Sequence, residues 1–385
     1  MIGYGFMGAA HSQGWRVAPR FFDLPAQPEM AVLVGRNAQA AQAAADKWGW
    51  NEAASDWREV ITRDDIDIID IVTPGDSHAE IAIAALDAGK HVMCEKPLAN
   101  TVEEALAMRD AAERAAAKGV RSMVGFTYRR VPATTFARQL VADGRLGDIR
   151  QVRAAYRQDW LMDADGPMTW RLQKDRAGSG SLGDIGAHAV DLAEYITGLN
   201  VEKVSGLLET IVTERPLLGE GIGLSGTAST ERGTVDVDDV AVFSGRFAAP
   251  EGGFSAVGSF EATRFATGRK NSLTIEVSGS LGALAFDLER LNELEFYDAT
   301  LPSTEQGFRT ILVTESEHPY LAPWWPAGHM LGYEHGFSHQ VVDFVTAVRD
   351  GVSPSPSFDD GLHVQHVLDA VTRSSDDSGR WTSVG

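Results

Sequence analysis

The stretch Gly3-Tyr4-Gly5-Phe6-Met7-Gly8, followed by a helical pattern and a series of short apolar runs, decides how this chain is read. In a G-x-G-x-x-G turn the first glycine permits a tight bend and the second lets the backbone approach a pyrophosphate. The third lets helix and strand pack closely, with the phosphates at the helix N-terminus. Gly3, Gly5, Phe6, Met7 and Gly8 are therefore candidate cofactor-binding residues. Alone the motif is weak; its place ahead of several strand–helix units strengthens it. Only Met1 and Ile2 precede it, so either the start lies further upstream or the first strand is very short, which predicts a weakened sheet centre.

Working outward, the first third alternates apolar runs with helical stretches, the signature of βαβ units in a parallel sheet. Strands are predicted over 31–34, 66–72, 91–94 and 121–126. Helices are predicted over 38–47, over 77–88, and from Thr101, where Glu104 completes a capping box, to Gly119. Beyond residue 145 the strands lengthen and read as a mostly antiparallel sheet, over 149–160, 201–212, 237–247, 254–264, 272–277, 280–286 and 293–297. A helix over 182–197 interrupts them, helices over 336–349 and 359–373 follow, and the Gly/Ser/Thr-rich residues 215–233 read as a surface loop. The expected fold is α/β: an N-terminal Rossmann doubly wound parallel sheet over 1–127, then an α+β domain over 128–385 with a large open, mostly antiparallel sheet. That second domain, with its C-terminal helices, is expected to bind substrate and support oligomerisation.

Composition narrows the function classes. The 385 residues carry 34 Lys and Arg against 54 Asp and Glu, and a net charge of −20 repels phosphate backbones and anionic membranes. Nucleic acid and membrane are excluded as expected partners. Cys94 is the single cysteine, so no intrachain disulfide forms; a reducing, cytoplasmic location is expected, and Cys94 itself reads as a small buried hydrophobe.

Several residues suggest chemistry. Glu95-Lys96-Pro97 follows the run His91-Val92-Met93-Cys94 and puts a lysine at the carboxyl edge of a sheet, where its ammonium can polarise a substrate oxygen. Pro97 can take a cis bond and fix that turn. After the second strand the acidic residue that would hold an NAD ribose is missing. Gly35-Arg36 stands there instead and leaves room and positive charge for a 2′-phosphate, which points to NADP ahead of NAD. Asp184 and His188 lie one turn apart on a predicted helix, an arrangement that suits a general base or an ordinary solvated pair, and Asp191 continues the face. Tyr128 and Arg129 follow a strand and can reach a substrate or form a salt-bridge site. Tyr333 and His335 belong to an aromatic and histidine-rich stretch able to wall a sugar pocket or to form core. His335 and His339 have metal-like spacing, but no third ligand is evident and no metal is expected.

Taken together, the fingerprint, Thr73-Pro74 with His78 after it, Glu95-Lys96-Pro97 and Asp184-x-x-x-His188 resemble the glucose-fructose oxidoreductase and inositol dehydrogenase (Gfo/Idh/MocA) family over nearly the whole chain. The resemblance implies that Lys96, Asp184 and His188 form the catalytic set, and that Thr73, Pro74 and Glu95 line the nicotinamide ribose, with His78 beside them. It further implies that Trp170-Arg171 lies near the cofactor and that Asp191 contacts substrate hydroxyls. Gly75 departs from the family, where an asparagine is common after Thr-Pro. The stretches Tyr156-Arg157-Gln158-Asp159-Trp160 and Val237-Asp238-Asp239 resemble the family's sugar dehydrogenases of cyclic substrates, which makes Gln158 a candidate substrate contact.

The activity implied is an NAD(P)-dependent oxidation of a secondary hydroxyl of a sugar, anhydrosugar or cyclic polyol, or the reverse reduction, in a homodimer or homotetramer. In it His188 serves as base and Lys96 steadies the developing alkoxide. Two alternatives share the fold: a cofactor-binding sensor or repressor without turnover, and a glycosidase that uses tightly held NAD for transient oxidation.

Overall fold

The computed structural model describes residues 1–222, 225–249 and 253–385. In chain order it begins with α1 (Phe6–Phe21), β1 (Val32–Val34), α2 (Ala38–Trp48), β2 (Glu52–Ala54), α3 (Trp57–Ile61) and β3 (Ile68–Ile71). Next come α4 (His78–Asp87), β4 (His91–Cys94), α5 (Val102–Ala116) and β5 (Ser122–Val124). The middle holds α6 (Pro132–Ala142), β6 (Ile149–Arg157), α7 (Lys174–Ala177), α8 (Ala187–Thr197), β7 (Val201–Glu209), β8 (Glu214–Ile222) and β9 (Ser225–Thr234). After them follow β10 (Val240–Phe247), β11 (Val257–Thr263), β12 (Ser272–Gly279), β13 (Gly282–Asp287), β14 (Glu293–Asp298) and β15 (Arg309–Leu312). The chain closes with α9 (His335–Asp350), α10 (Phe358–Asp376) and β16 (Thr382–Ser383).

These elements form two compact units, Met1–Arg130 with Gly332–Gln365, and Val131–Leu331 with His366–Gly385. The boundary expected after residue 127 put the helix over 336–349 in the second domain. The structure puts α9 in the first unit, because Val341, Phe344 and Val345 pack with Trp15, Ala18, Met93 and Met123 in one apolar cluster.

In the first unit β1 and β2 pair in parallel, as do β3, β4 and β5. Ile2 joins the two groups, bridging Val34 on one side and Ile71 on the other. Its amide donates to the Asp70 carbonyl at 2.7 Å and its carbonyl accepts from Val72 at 2.9 Å. The expected weak centre is therefore closed by a two-residue strand whose side chains are buried: Met1 is 6% and Ile2 4% exposed. The capping box forms as read, with Thr101 accepting from the Glu104 amide at 3.2 Å and Glu104 accepting from the Thr101 amide at 3.1 Å, a device worth about 1 kcal/mol.

The second unit is a nine-stranded sheet in the order β15-β14-β13-β12-β6-β11-β10-β7-β16. Every pairing in it is antiparallel except β11 with β6. Side chains alternate across it as the pleat requires: along β10, Ala241, Phe243 and Phe247 are buried while Val242, Ser244 and Arg246 are exposed. Helices α6 and α8 lie against the buried face. The surface loop expected over 215–233 is instead the hairpin β8–β9. Glycine, serine and threonine suggested a turn there, but Arg215 is 1% exposed, its guanidinium donating to the carbonyls of Asp163 and Leu161 at 2.6 Å each, which ties the hairpin to the chain before α7.

Candidate active site

In the first unit the fingerprint adopts the geometry that a dinucleotide needs. Gly3 has φ of 112°, and a Cβ there would meet the Val72 carbonyl oxygen at 2.9 Å, so only glycine fits. Gly5 caps α1, whose first turn has neither an acidic residue nor a side-chain cap. A Cβ on Gly5 would meet no protein atom within 4 Å. That combination, open space above uncapped helix amides, is a cradle for a phosphate group. The residues present therefore fit a dinucleotide.

Beyond β1, Arg36 is exposed and Asn37 accepts from the Ala40 amide at 3.0 Å to cap α2. Gly35, expected to face the cofactor, is covered by the Tyr4 ring, which a Cβ would strike; its smallness serves packing.

The next two loops carry Thr73-Pro74 and Glu95-Lys96-Pro97. Thr73 Oγ1 accepts from Ser77 Oγ at 2.7 Å, and both Thr73 and Pro74 are partly exposed. His78 does not reach toward a cofactor. It is 1% exposed, with Nδ1 3.0 Å from the Pro97 carbonyl and Nε2 2.9 Å from the Thr73 carbonyl, so its ring ties one loop to the other. The Lys96-Pro97 peptide is cis, and Lys96 is partly buried, with its amide donating to Glu95 Oε2 at 3.2 Å. Glu95 is 4% exposed, and its other oxygen lies 2.9 Å from His11 Nε2.

Around this edge stand aromatic rings. Phe6, 67% exposed, stacks on Tyr333 with centroids 6.2 Å apart, and Tyr333 in turn packs edge-on against Phe337 at 5.2 Å. Burial, with Tyr128 and Glu95 nearby, pushes the Tyr333 hydroxyl above the usual phenol range. His335, at the start of α9, has Nδ1 accepting from the Gly332 amide at 3.0 Å, and burial lowers its pKa. His339 is fully buried, bonded through Nδ1 to the Arg130 carbonyl at 2.9 Å, and burial holds it neutral with a pKa of about 3. Among the described residues no group of three His, Cys, Asp or Glu could hold a metal ion. Arg129, a candidate substrate contact, is buried instead against Ser355 Oγ at 3.1 Å and Asp360 at 3.6 Å, the salt-bridge alternative.

In the second unit Asp184 sits on a π-helical turn, Leu182–Gly186, that leads into α8; such turns are uncommon and concentrate at functional sites. Arg264, fully buried, reaches Asp184 Oδ2 at 3.4 Å, and Arg171 Nε lies 4.0 Å from the same oxygen. The Arg171 guanidinium also lies 4.4 Å from the Trp170 ring, so Trp170, Arg171 and Asp184 share one neighbourhood. His188 is 9% exposed and its ring centroid is 6.0 Å from that of Tyr156. Tyr156 Oη and Gln158 Nε2 both donate to Asn271 Oδ1 at 2.7 Å. Trp160 Nε1 donates to Gln158 Oε1 at 2.9 Å, so Gln158 and Tyr156, the ring beside His188, share Asn271 as a hydrogen-bond partner. Asp191, on the same helix, is 2% exposed.

Three supports were not anticipated: Arg264 beneath Asp184, Asp238 beneath the π turn, and the His11-Asp70 pair beneath Glu95. Asp70 left a signal, a carboxylate within the apolar run Ile68-Ile69-Asp70-Ile71.

Comparison with known proteins bears on this arrangement. Residues 1–126 match the model described as the oxidoreductase family with NAD-binding Rossmann fold, GFO/IDH/MocA, and residues 134–285 match the GFO/IDH/MocA C-terminal domain. The chain belongs to the Gfo/Idh/MocA family of oxidoreductases. Within that family it is 43% identical to levoglucosan dehydrogenase of Pseudarthrobacter phenanthrenivorans over 97% of this chain and 95% of the relative. A solved oxidoreductase domain protein from Kribbella flavida is 61% identical and superposes with a TM-score of 0.94, covering 100% of this chain and 98% of that one. A levoglucosan dehydrogenase solved with NADH and L-sorbose is 42% identical, with a TM-score of 0.92, covering 100% of this chain and 97% of that one. The Rossmann unit and the large mixed sheet are thus family features of this oxidoreductase. No helix among the described residues is long and apolar enough to cross a membrane.

Proposed function

We propose that this oxidoreductase is an NAD(P)-dependent dehydrogenase that oxidises a secondary hydroxyl of a sugar, anhydrosugar or cyclic polyol, or reduces the corresponding ketone. The observation that carries this reading is the 43% identity to levoglucosan dehydrogenase over 97% of the chain; Lys96, Asp184 and His188, the catalytic set that the motif resemblance implies, are all present to serve it. A levoglucosan-like bicyclic sugar is the first substrate to test.

The dinucleotide, when bound, supplies the hydride acceptor. Gly3, Gly5, Phe6, Met7 and Gly8 hold its pyrophosphate, while Thr73, Pro74, Glu95 and the Trp170-Arg171 pair flank the nicotinamide end. His188 accepts the proton of the substrate hydroxyl. Lys96 donates a hydrogen bond to the oxygen as negative charge grows there. Asp184, whose carboxylate is held by Arg264 and Arg171, has the role of orienting the base and tuning its imidazole. Asp191 and Gln158 contact ring hydroxyls, and Tyr128, Tyr333 and His335 wall the sugar.

Support for the cofactor points two ways. The neighbour solved with NADH favours NAD, whereas exposed Arg36 without an acidic partner after β1 favours acceptance of NADP. Copies of the chain are proposed to associate as a dimer or tetramer through the open face of the large sheet, where Leu207, Val242 and Val257 are exposed.

Anhydrosugars, pyranoses and cyclic polyols incubated with NAD and NADP, with reduced nicotinamide followed by absorbance, test the proposal. Stoichiometric release of reduced cofactor is expected for at least one of them. Binding without turnover would mark a sensor, and glycoside cleavage without net reduction would mark a glycosidase.

A further inference from the structure

His11 lies on α1 three residues beyond Gly8 and is 1% exposed. Its Nδ1 is 3.0 Å from both carboxylate oxygens of Asp70, and its Nε2 is 2.9 Å from Glu95 Oε1. Carboxylate oxygens only accept, and a neutral imidazole has one N–H, so a neutral ring would turn one nitrogen lone pair toward a carboxylate. Two ring N–H groups satisfy both sides. The indole of Trp15 adds a hydrogen bond to Asp70 Oδ2 at 2.7 Å, which fixes that carboxylate, and Glu95 passes its second oxygen to the Lys96 amide at 3.2 Å.

We propose that His11 is a positioning residue, a doubly protonated imidazole braced between Asp70 and Glu95 that holds the Glu95 carboxylate, and through it the Lys96 backbone, at the site end of β4. The helix whose N-terminus cradles phosphate thereby also braces the loop that carries the catalytic lysine. Buried charges without partners are costly, and the three groups together satisfy one another. Burial works against the imidazolium, but the charge and hydrogen bonds of Asp70 and Glu95 outweigh it and push His11 up to about 10. Other titratable groups facing these carboxylates include the Met1 amino group near Asp70, the Cys94 thiol on β4, and Tyr333 near Glu95; from α9 the ring of Phe337 packs on His11 at 5.3 Å.

The task assigned to Lys96 rests on the dehydrogenase reading, whereas the protonation of His11 does not, and the test separates them. Long-range proton–nitrogen correlation spectra of histidine-labelled protein with bound cofactor, taken about 1.5 units above the unperturbed histidine pKa, should show both His11 ring nitrogens protonated. A neutral His11 tautomer there overturns the proposal. His11→Asn keeps a donor toward Asp70 alone, and His11→Gln keeps one toward Glu95. Per cofactor-binding site, titrated by tryptophan fluorescence, His11→Asn should lose at least about tenfold in kcat with cofactor Kd within about threefold, and His11→Gln should recover most of it. Equal kcat in both variants, whether lost or retained, contradicts a brace acting through Glu95; if neither variant folds, the spectra of the unmodified protein decide. If the unmodified protein oxidises no cyclic alcohol, the dehydrogenase reading fails. Displacement of the Glu95-Lys96 loop in a crystal structure of His11→Asn is then the deciding readout, an unmoved loop overturning the proposal.

Discussion

The Asp238 carboxylate accepts the amide proton of Gly180 at 2.7 Å, and the space between the two residues is closed: a Cβ on Gly180 would run into the Asp238 backbone. The same carboxylate accepts from Ser181 Oγ at 2.6 Å and from the Leu182 amide at 2.8 Å. Three donors at the entrance to the π turn thus converge on one buried acid, which sets where Asp184 begins its path. Asp238→Ala strands those donors at about 1–3 kcal/mol for each one left buried without a partner. We expect a loss of at least about 3 kcal/mol in denaturant unfolding and a lower kcat in the fraction that folds. Gly180→Ala should be similarly damaging, although an exposed glycine replaced by alanine is ordinarily neutral or stabilising. Wild-type stability in both variants would show that the clamp is dispensable.

Arg264 presents a guanidinium to Asp184 from a fully buried position. Arg264→Met, similar in bulk but uncharged, removes the cation 3.4 Å from Asp184 and leaves Arg171 at 4.0 Å. We expect kcat to fall by roughly one to two orders of magnitude, with cofactor Kd changed by less than about threefold. Initial-rate kinetics beside cofactor titration read both. A kcat within about twofold of wild type would remove Arg264 from the account.

Stability should depend on pH through His11. Its folded pKa of about 10 lies above the unfolded value of about 6.5, so the folded state holds a proton that the unfolded state releases. The contribution is complete below the unfolded value and is lost as pH rises through the folded one. Melting temperature should therefore drop by several degrees between about pH 7 and 10, and the drop should be shallower in His11→Asn. Parallel melting curves across that range for both proteins would contradict the brace.

Arg36 stands exposed just beyond β1, beside the Asn37 cap of α2. With a 2′-phosphate as its partner, Arg36→Ala should lower kcat/KM with NADP by about tenfold or more and change NAD use by less than about threefold. Equal effects on the two cofactors would mean that Arg36 does not read the phosphate.

Much of the scaffold was legible because its signals are local. The capping box at Thr101 and Glu104, the helix over 182–197 and the apolar run before Cys94 each need only neighbouring residues to be recognised. The supports beneath the site were not legible, because they join residues far apart in the chain. Arg264 is 80 residues from Asp184, and at the end of an alternating strand it reads as an ordinary surface charge. The resemblance puts His78 beside the cofactor, and Arg129, following a strand, reads as able to reach a substrate or to form a salt-bridge site. Folding turns one onto the carbonyls of Thr73 and Pro97 and the other onto Ser355 and Asp360. The β8–β9 hairpin was hidden by a glycine- and serine-rich composition that reads as loop, and the π turn changes the spacing on which a one-turn argument for Asp184 and His188 relied.

The central claim is that Lys96 works on the oxygen being oxidised and is not merely part of the cofactor cradle. The most direct measurement compares wild type with Lys96→Ala in a multiple-turnover assay of a cyclic sugar alcohol, following reduced nicotinamide, with cofactor Kd determined on the same samples. We expect kcat to fall by about a thousandfold or more while cofactor Kd stays within about threefold. Near-full turnover in Lys96→Ala, or a loss explained entirely by failure to bind cofactor, would contradict it.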